Sequence, residues 1–145
     1  MTKNISLFNI EDSYDTTANF LEKYYSITKS DDAGSILGCM MLLENNRPFD
    51  AAMWEDWLDA LATIKPNEKI DLEATRLSTE EAYFAMIKFL EIYCSMGADD
   101  DFIEFVAQLK TNTSTILTWQ NWVDSIKEIT SYTPRKRPYF ELLPK

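Results

Sequence analysis

The chain contains no histidine. That removes the commonest general base and the commonest metal ligand at neutral pH. Serine–histidine and cysteine–histidine catalysis and the usual zinc sites go with it. Turn formers are scarce too: three glycines and five prolines in 145 residues leave little material for an all-β fold. Basic residues are outnumbered, 14 Lys and Arg against 24 Asp and Glu, for a net charge of −10. Phosphate binding needs the opposite surplus, so nucleic acid is not expected as a partner. No apolar run approaches the roughly 18 residues of a membrane span. The start, "MTKNISLFNIEDS", lacks the cationic region and apolar stretch of a secretory signal. The two cysteines, Cys39 and Cys94, form no CxxC pair. They fit free thiols in a reducing cytoplasm, with a single disulfide left open.

What is present points to helix. Ala, Leu, Met, Glu and Lys are plentiful, and 46% of the residues are hydrophobic, enough for one real core in a chain of this length. The chain also repeats itself. A shift of 69 aligns "FLEKYYSITKSDD" (20–32) with "FLEIYCSMGADDD" (89–101), and Glu11/Glu80 and Tyr14/Tyr83 match at the same shift. A shift of 65 pairs "WEDWLDAL" (54–61) with "WQNWVDSI" (119–126). An internal duplication, 9–64 and 78–130, joined by the polar "KPNEKIDLEATRL", accounts for both.

Each copy reads as three helices. The first is predicted over 10–28 and again over 79–95, started by Ser78 with Glu81 as a capping box and, more weakly, by Asn9 with Asp12. Phe89, Leu90 and Tyr93 share one face of it. The second begins at the acids and carries Ile36, Leu37, Met40 and Met41, or Ile103, Val106 and Leu109. The third carries Met53, Trp54, Trp57, Leu58 and Leu61, capped by Asp50, or Trp119, Trp122, Val123 and Ile126. The fold class expected is all-α: a single domain over 1–145, a bundle of about six helices built from two three-helix units with pseudo-twofold symmetry. Residues 131–145 form a basic tail, "TPRKRPYFELLPK" at its core, expected to dock on the protein's own acids.

The paired acids, Asp31 with Asp32 and Asp99 to Asp101, sit where helices start. Capping free N–H groups and offsetting the positive helix end explain them, at about 0.5–2 kcal/mol per cap. The alternating acids and glycine of a calcium loop are absent, and no metal or cofactor is expected. Such acids stay exposed and available to a basic partner. Glu55, Asp56 and Asp59 form a second acidic face on the third helix. The Trp54/Trp57 and Trp119/Trp122 pairs read as core. Gly34 and Gly38, one turn apart inside a helix and present in one copy only, are expected where a neighbouring helix comes close.

The stretches FLE-x-Y-Y, S-D-D-x-G-x-x-L-G-x-M and W-x-D-W, spread over residues 20 to 61, resemble small acidic helical immunity proteins of bacterial polymorphic toxin systems, including contact-dependent inhibition and type VI secretion. The second copy departs from this pattern: it lacks both glycines and has "QN" for the middle "ED". The resemblance implies a cytoplasmic, non-enzymatic protein that binds a cognate secreted toxin. A nuclease toxin must be basic to hold its substrate, so an acidic chain can be steered to it and cover its active site. The contact surface expected is acidic: Asp31, Asp32, Glu55, Asp56, Asp59, Asp100, Asp101 and Glu104, with Tyr25 as an aromatic anchor. A helical adaptor or homodimer, and a carboxylate-based hydrolase or transferase, are the competing readings.

Overall fold

The structure is a computed structural model that describes residues 8–40, 51–111 and 116–131. Among them are six α-helices: α1 (Ile10–Thr28), α2 (Asp31–Met40), α3 (Ala51–Ile64), α4 (Thr79–Ser95), α5 (Asp100–Thr111) and α6 (Ile116–Thr130). The all-α class follows. The only strand-like pairing among the described residues is an antiparallel bridge in which Phe8 and Leu77 exchange two N–H···O bonds of 2.9 Å. None of the described helices is long and apolar enough to cross a membrane.

The helix starts show how local chemistry sets these boundaries. Asn9 Oδ1 accepts from the Asp12 N–H at 2.8 Å. At α4 the capping box is complete: Ser78 Oγ accepts from the Glu81 N–H at 3.1 Å, and Glu81 Oε1 from the Ser78 N–H at 2.9 Å. At α2 the expectation fails in detail. The cap is Ser30, whose Oγ accepts from the Ala33 N–H at 3.2 Å, while Asp31 and Asp32 lie inside the first turn. There they meet the helix dipole but do not cap. α1 ends on Lys29 in the left-handed conformation (φ 56°), whose N–H returns to the Tyr25 carbonyl at 2.8 Å. After α4 the same reversal falls to Gly97 (φ 114°), which adopts it without a Cβ penalty.

α1 packs mainly on α2 and α6, and α4 mainly on α3 and α5. Each long helix is therefore flanked by the short helix that follows it and by the last helix of the other half of the chain. Trp57 and Trp122, both fully buried, are the central blocks. Burying one large apolar side chain contributes about 1.5–3 kcal/mol. Trp57 stands edge-on to Phe89 at 5.6 Å, and Trp122 to Phe20 at 5.7 Å. Tyr14 meets Trp54 and Trp57 at 4.9 and 6.2 Å; Tyr83 meets Trp119 and Trp122 at 5.1 and 5.8 Å. Trp54 and Trp119 are only half-buried.

Other details differ from the sequence reading. Ile103 is exposed, and Phe102, one residue earlier, takes its place in the core, because the buried stripe of α5 runs Phe102, Val106, Leu109. A Cβ at Gly34 would lie 3.1 Å from Tyr25 Cε1, so the close neighbour there is an aromatic side chain of α1. Around Gly38 nothing lies within 4 Å of such a Cβ, and no close helix contact explains that glycine. Cys39 and Cys94 are not joined in a disulfide. Met41, Asp50 and the basic tail from 132 onward lie outside the described residues.

Candidate partner-binding surface

The two connections that carry the acids, α1–α2 and α4–α5, meet at one end of the bundle. Asp32 joins them. Its Oδ1 accepts from the Tyr93 hydroxyl at 2.7 Å, and its Oδ2 accepts from the Asp99 N–H at 2.9 Å. Bonds to an ionised carboxylate are among the stronger neutral-to-charged contacts available to a protein. Burial, reinforced by the Asp32 carboxylate it serves, pushes the Tyr93 phenol up to about 12. Tyr24, stacked on Phe105 at 3.8 Å, is raised as well, chiefly by burial and further by the nearby charges of Asp101 and Asp32. Acids separated by 67 residues in sequence thus share one aromatic platform made from Tyr24, Tyr93, Phe102 and Phe105.

Concentrating negative charge this way is unfavourable by itself. Two positive helix ends, those of α2 and α5, point into the cluster and offset the repulsion. Asp31, Asp99, Asp100 and Asp101 remain exposed on it. Asp99 also starts the α5 ladder, its carbonyl accepting from the N–H groups of Phe102 and Ile103 at 3.0 Å each. Among the described residues no group of three or more carboxylates or thiols is placed to hold a metal ion.

Of the expected contact residues, the structure brings together Asp31, Asp32, Asp100 and Asp101, with Glu104 exposed one turn further along α5. Tyr25 is 38% exposed, lying over Gly34 with the Lys29 ammonium 5.5 Å above its ring. Glu55, Asp56 and Asp59 belong to α3, and neither bond of Asp32 reaches that helix.

Sequence reasoning missed Tyr93 as the link between the connections, and it missed the apolar residues beside the acids. Ile27 (77% exposed) and Met96 (70%) occupy matched positions at the ends of α1 and α4, and Ile103 (43%) lies in α5 close behind the acids. The shift of 69 pairs Ile27 with Met96, but nothing in helical periodicity separates an exposed Ile27 from a buried Leu21. No protein-family model, no curated protein and no solved structure matches this chain.

Proposed function

We propose that this chain is an immunity protein that acts in the cytoplasm, binding a cognate secreted bacterial toxin and covering its active site, and that it carries out no catalysis of its own. The observation that carries the reading is the Asp32 junction, which gathers acids from two distant segments onto one end, beside Ile27, Met96 and Ile103. Exposed apolar side chains next to acids offer a partner area to desolvate on binding and charge to steer it. With a net charge of −10, the partner it fits is basic, as a nuclease is.

The same reading takes the chain as one domain made of two three-helix repeats, 9–64 and 78–130, related by a pseudo-twofold axis and exchanging their third helices. Supporting it, the Trp57–Phe89 contact at 5.6 Å has its counterpart in Trp122–Phe20 at 5.7 Å, and Tyr14–Trp54 at 4.9 Å in Tyr83–Trp119 at 5.1 Å.

Genomic context and co-expression test the function. A gene for a large secreted protein is expected immediately upstream, and its C-terminal domain should co-purify with this chain and lose toxicity in its presence. The complex should weaken as salt rises from about 0.1 to 1 M, across which the Debye length falls from about 10 to 3 Å. A metabolic operon around the gene would sink the immunity reading. Equal affinity at both salts would remove its electrostatic part.

A further inference from the structure

A concave feature lies between α4, α5 and α6: a groove of about 360 Å³ lined by Glu80, Tyr83, Phe84, Leu109, Lys110 and Trp119. Its floor is rigid. Tyr83 is 4% exposed, its hydroxyl donates to the Leu109 carbonyl at 3.2 Å, and Trp119 stands edge-on to it. Phe84, in contrast, is 51% exposed, an expensive position for a phenylalanine in a folded helix. At the rim the Lys110 ammonium is paired with Glu91 at 3.0 Å. Glu80 is exposed and has no ion pair or side-chain hydrogen bond among the described residues, so the uncompensated charge of the rim is negative.

The other half of the chain supplies a comparison. The positions matching Tyr83, Phe84 and Leu109 at the shift of 69 are Tyr14, Asp15 and Met40, and all three are fully inaccessible. Tyr83 and Leu109 are buried like their counterparts, so the two halves differ at one lining position: Phe84 is half exposed where Asp15 is inaccessible. We infer that the groove receives a short segment of the basic partner: one aromatic or aliphatic side chain seated against Phe84 and Trp119, with a neighbouring Arg or Lys paired to Glu80. The apolar lining selects the first group, and the lone carboxylate on a chain of net charge −10 selects the second. The volume falls at the low end of ligand pockets, roughly 300–1,000 Å³, and suits a side chain or two. The partner's identity rests on the immunity reading; the groove as its anchor does not depend on the acidic end.

Surface plasmon resonance of the full chain against the C-terminal domain of the neighbouring toxin tests it. Phe84→Asp should raise the dissociation rate at least tenfold at every salt concentration, with the melting temperature held, because Phe84 is already half in water. Glu80→Lys should weaken binding at low salt and less at high salt. The triple variant Asp31→Asn, Asp100→Asn, Asp101→Asn probes the acidic end separately. If Phe84→Asp and Glu80→Lys bind as wild type while the triple variant weakens, the groove proposal is overturned and the acidic end stands. If the groove variants weaken and the triple variant does not, the groove stands and the acidic end falls. If the wild-type chain fails to bind that domain, both are overturned. Phe140→Asp addresses the chain's own tail: a displaced Trp119 indole N–H resonance would assign the groove to that tail and overturn the proposal, and an unmoved one supports a foreign occupant.

Discussion

α1 and α4 carry the same landmarks, FLE-x-Y and a buried tyrosine one and a half turns upstream, yet they solve burial differently. In α1 the residues around Tyr14 are Asp12, Ser13, Asp15, Thr16 and Thr17, every one of them inaccessible. In α4 the matching positions hold Glu81, Ala82, Phe84, Ala85 and Met86. The hydroxyls of α1 satisfy themselves along their own helix: Ser13 donates to the Ile10 carbonyl at 2.7 Å, Thr16 to Asp12 at 2.7 Å, and Thr17 to Ser13 at 3.0 Å. One consequence reaches the core. Trp122 Nε1 donates to the Thr79 carbonyl at 3.1 Å. The matching carbonyl in the first half is Ile10, already serving Ser13, and the buried Trp57 Nε1 finds no hydrogen-bond partner among the described residues. Two halves with the same ring geometry thus differ in polar satisfaction. A shared apolar pattern secures the fold, and the polar details diverge where each half meets different surroundings.

Four sets of substitutions break or sharpen that comparison. The largest effects are expected from Trp57→Ala and Trp122→Ala, each about 3–5 kcal/mol, measured by urea denaturation. If only one of them is severe, the two indoles are not equivalent supports. Next come the matched tyrosines. Tyr93→Phe removes a bond to a carboxylate, worth about 1.5–3 kcal/mol, whereas Tyr24 donates to no carboxylate among the described residues and Tyr24→Phe should cost less. The pH profile gives a second readout. Because the folded Tyr93 phenol stands at about 12 against an ordinary 10, its contribution is fully present below pH 10 and lost as pH rises from 10 to 12. Tyr93→Phe should flatten that loss.

A smaller difference, about 1 kcal/mol, should separate Trp122→Phe from Trp57→Phe, with Trp122→Phe the less stable, since only Trp122 loses a made bond. The reverse order would show that the Trp57 N–H is satisfied. The smallest effect is a gain. Gly38→Ala, in open space inside α2, should stabilise by up to about 1 kcal/mol, a rise of roughly 2–4 °C in melting temperature for a domain of this size. Gly34→Ala should gain less, because its methyl group meets the Tyr25 ring at 3.1 Å.

Helix class and order were readable from spacing: apolar residues at helical intervals, a capping box at Ser78 and Glu81, and tryptophans three apart. These are local signals, and local signals survive in sequence. What was not readable depends on where a side chain meets a distant segment. Asp31 and Asp32 read as caps because acids before an apolar run usually are, but Ser30 one residue earlier took that bond and left Asp32 free to reach Tyr93 and Asp99. Ile103 read as core because it is apolar and close to the right spacing, while Phe102 holds the buried register. The acidic end was half legible: its acids stand out in sequence, and its apolar companions, Ile27 and Met96, do not.

The central claim is that acids from two connections act as one binding surface for a basic toxin domain. Its most direct test is the Kd of the full chain for the C-terminal domain of the neighbouring toxin, measured against salt, for wild type and for the Asp31→Asn, Asp100→Asn, Asp101→Asn variant. The expected result is tight binding that weakens with salt, together with a variant whose affinity is lower and whose salt dependence is shallower. Unchanged affinity and salt dependence in the variant would contradict the claim.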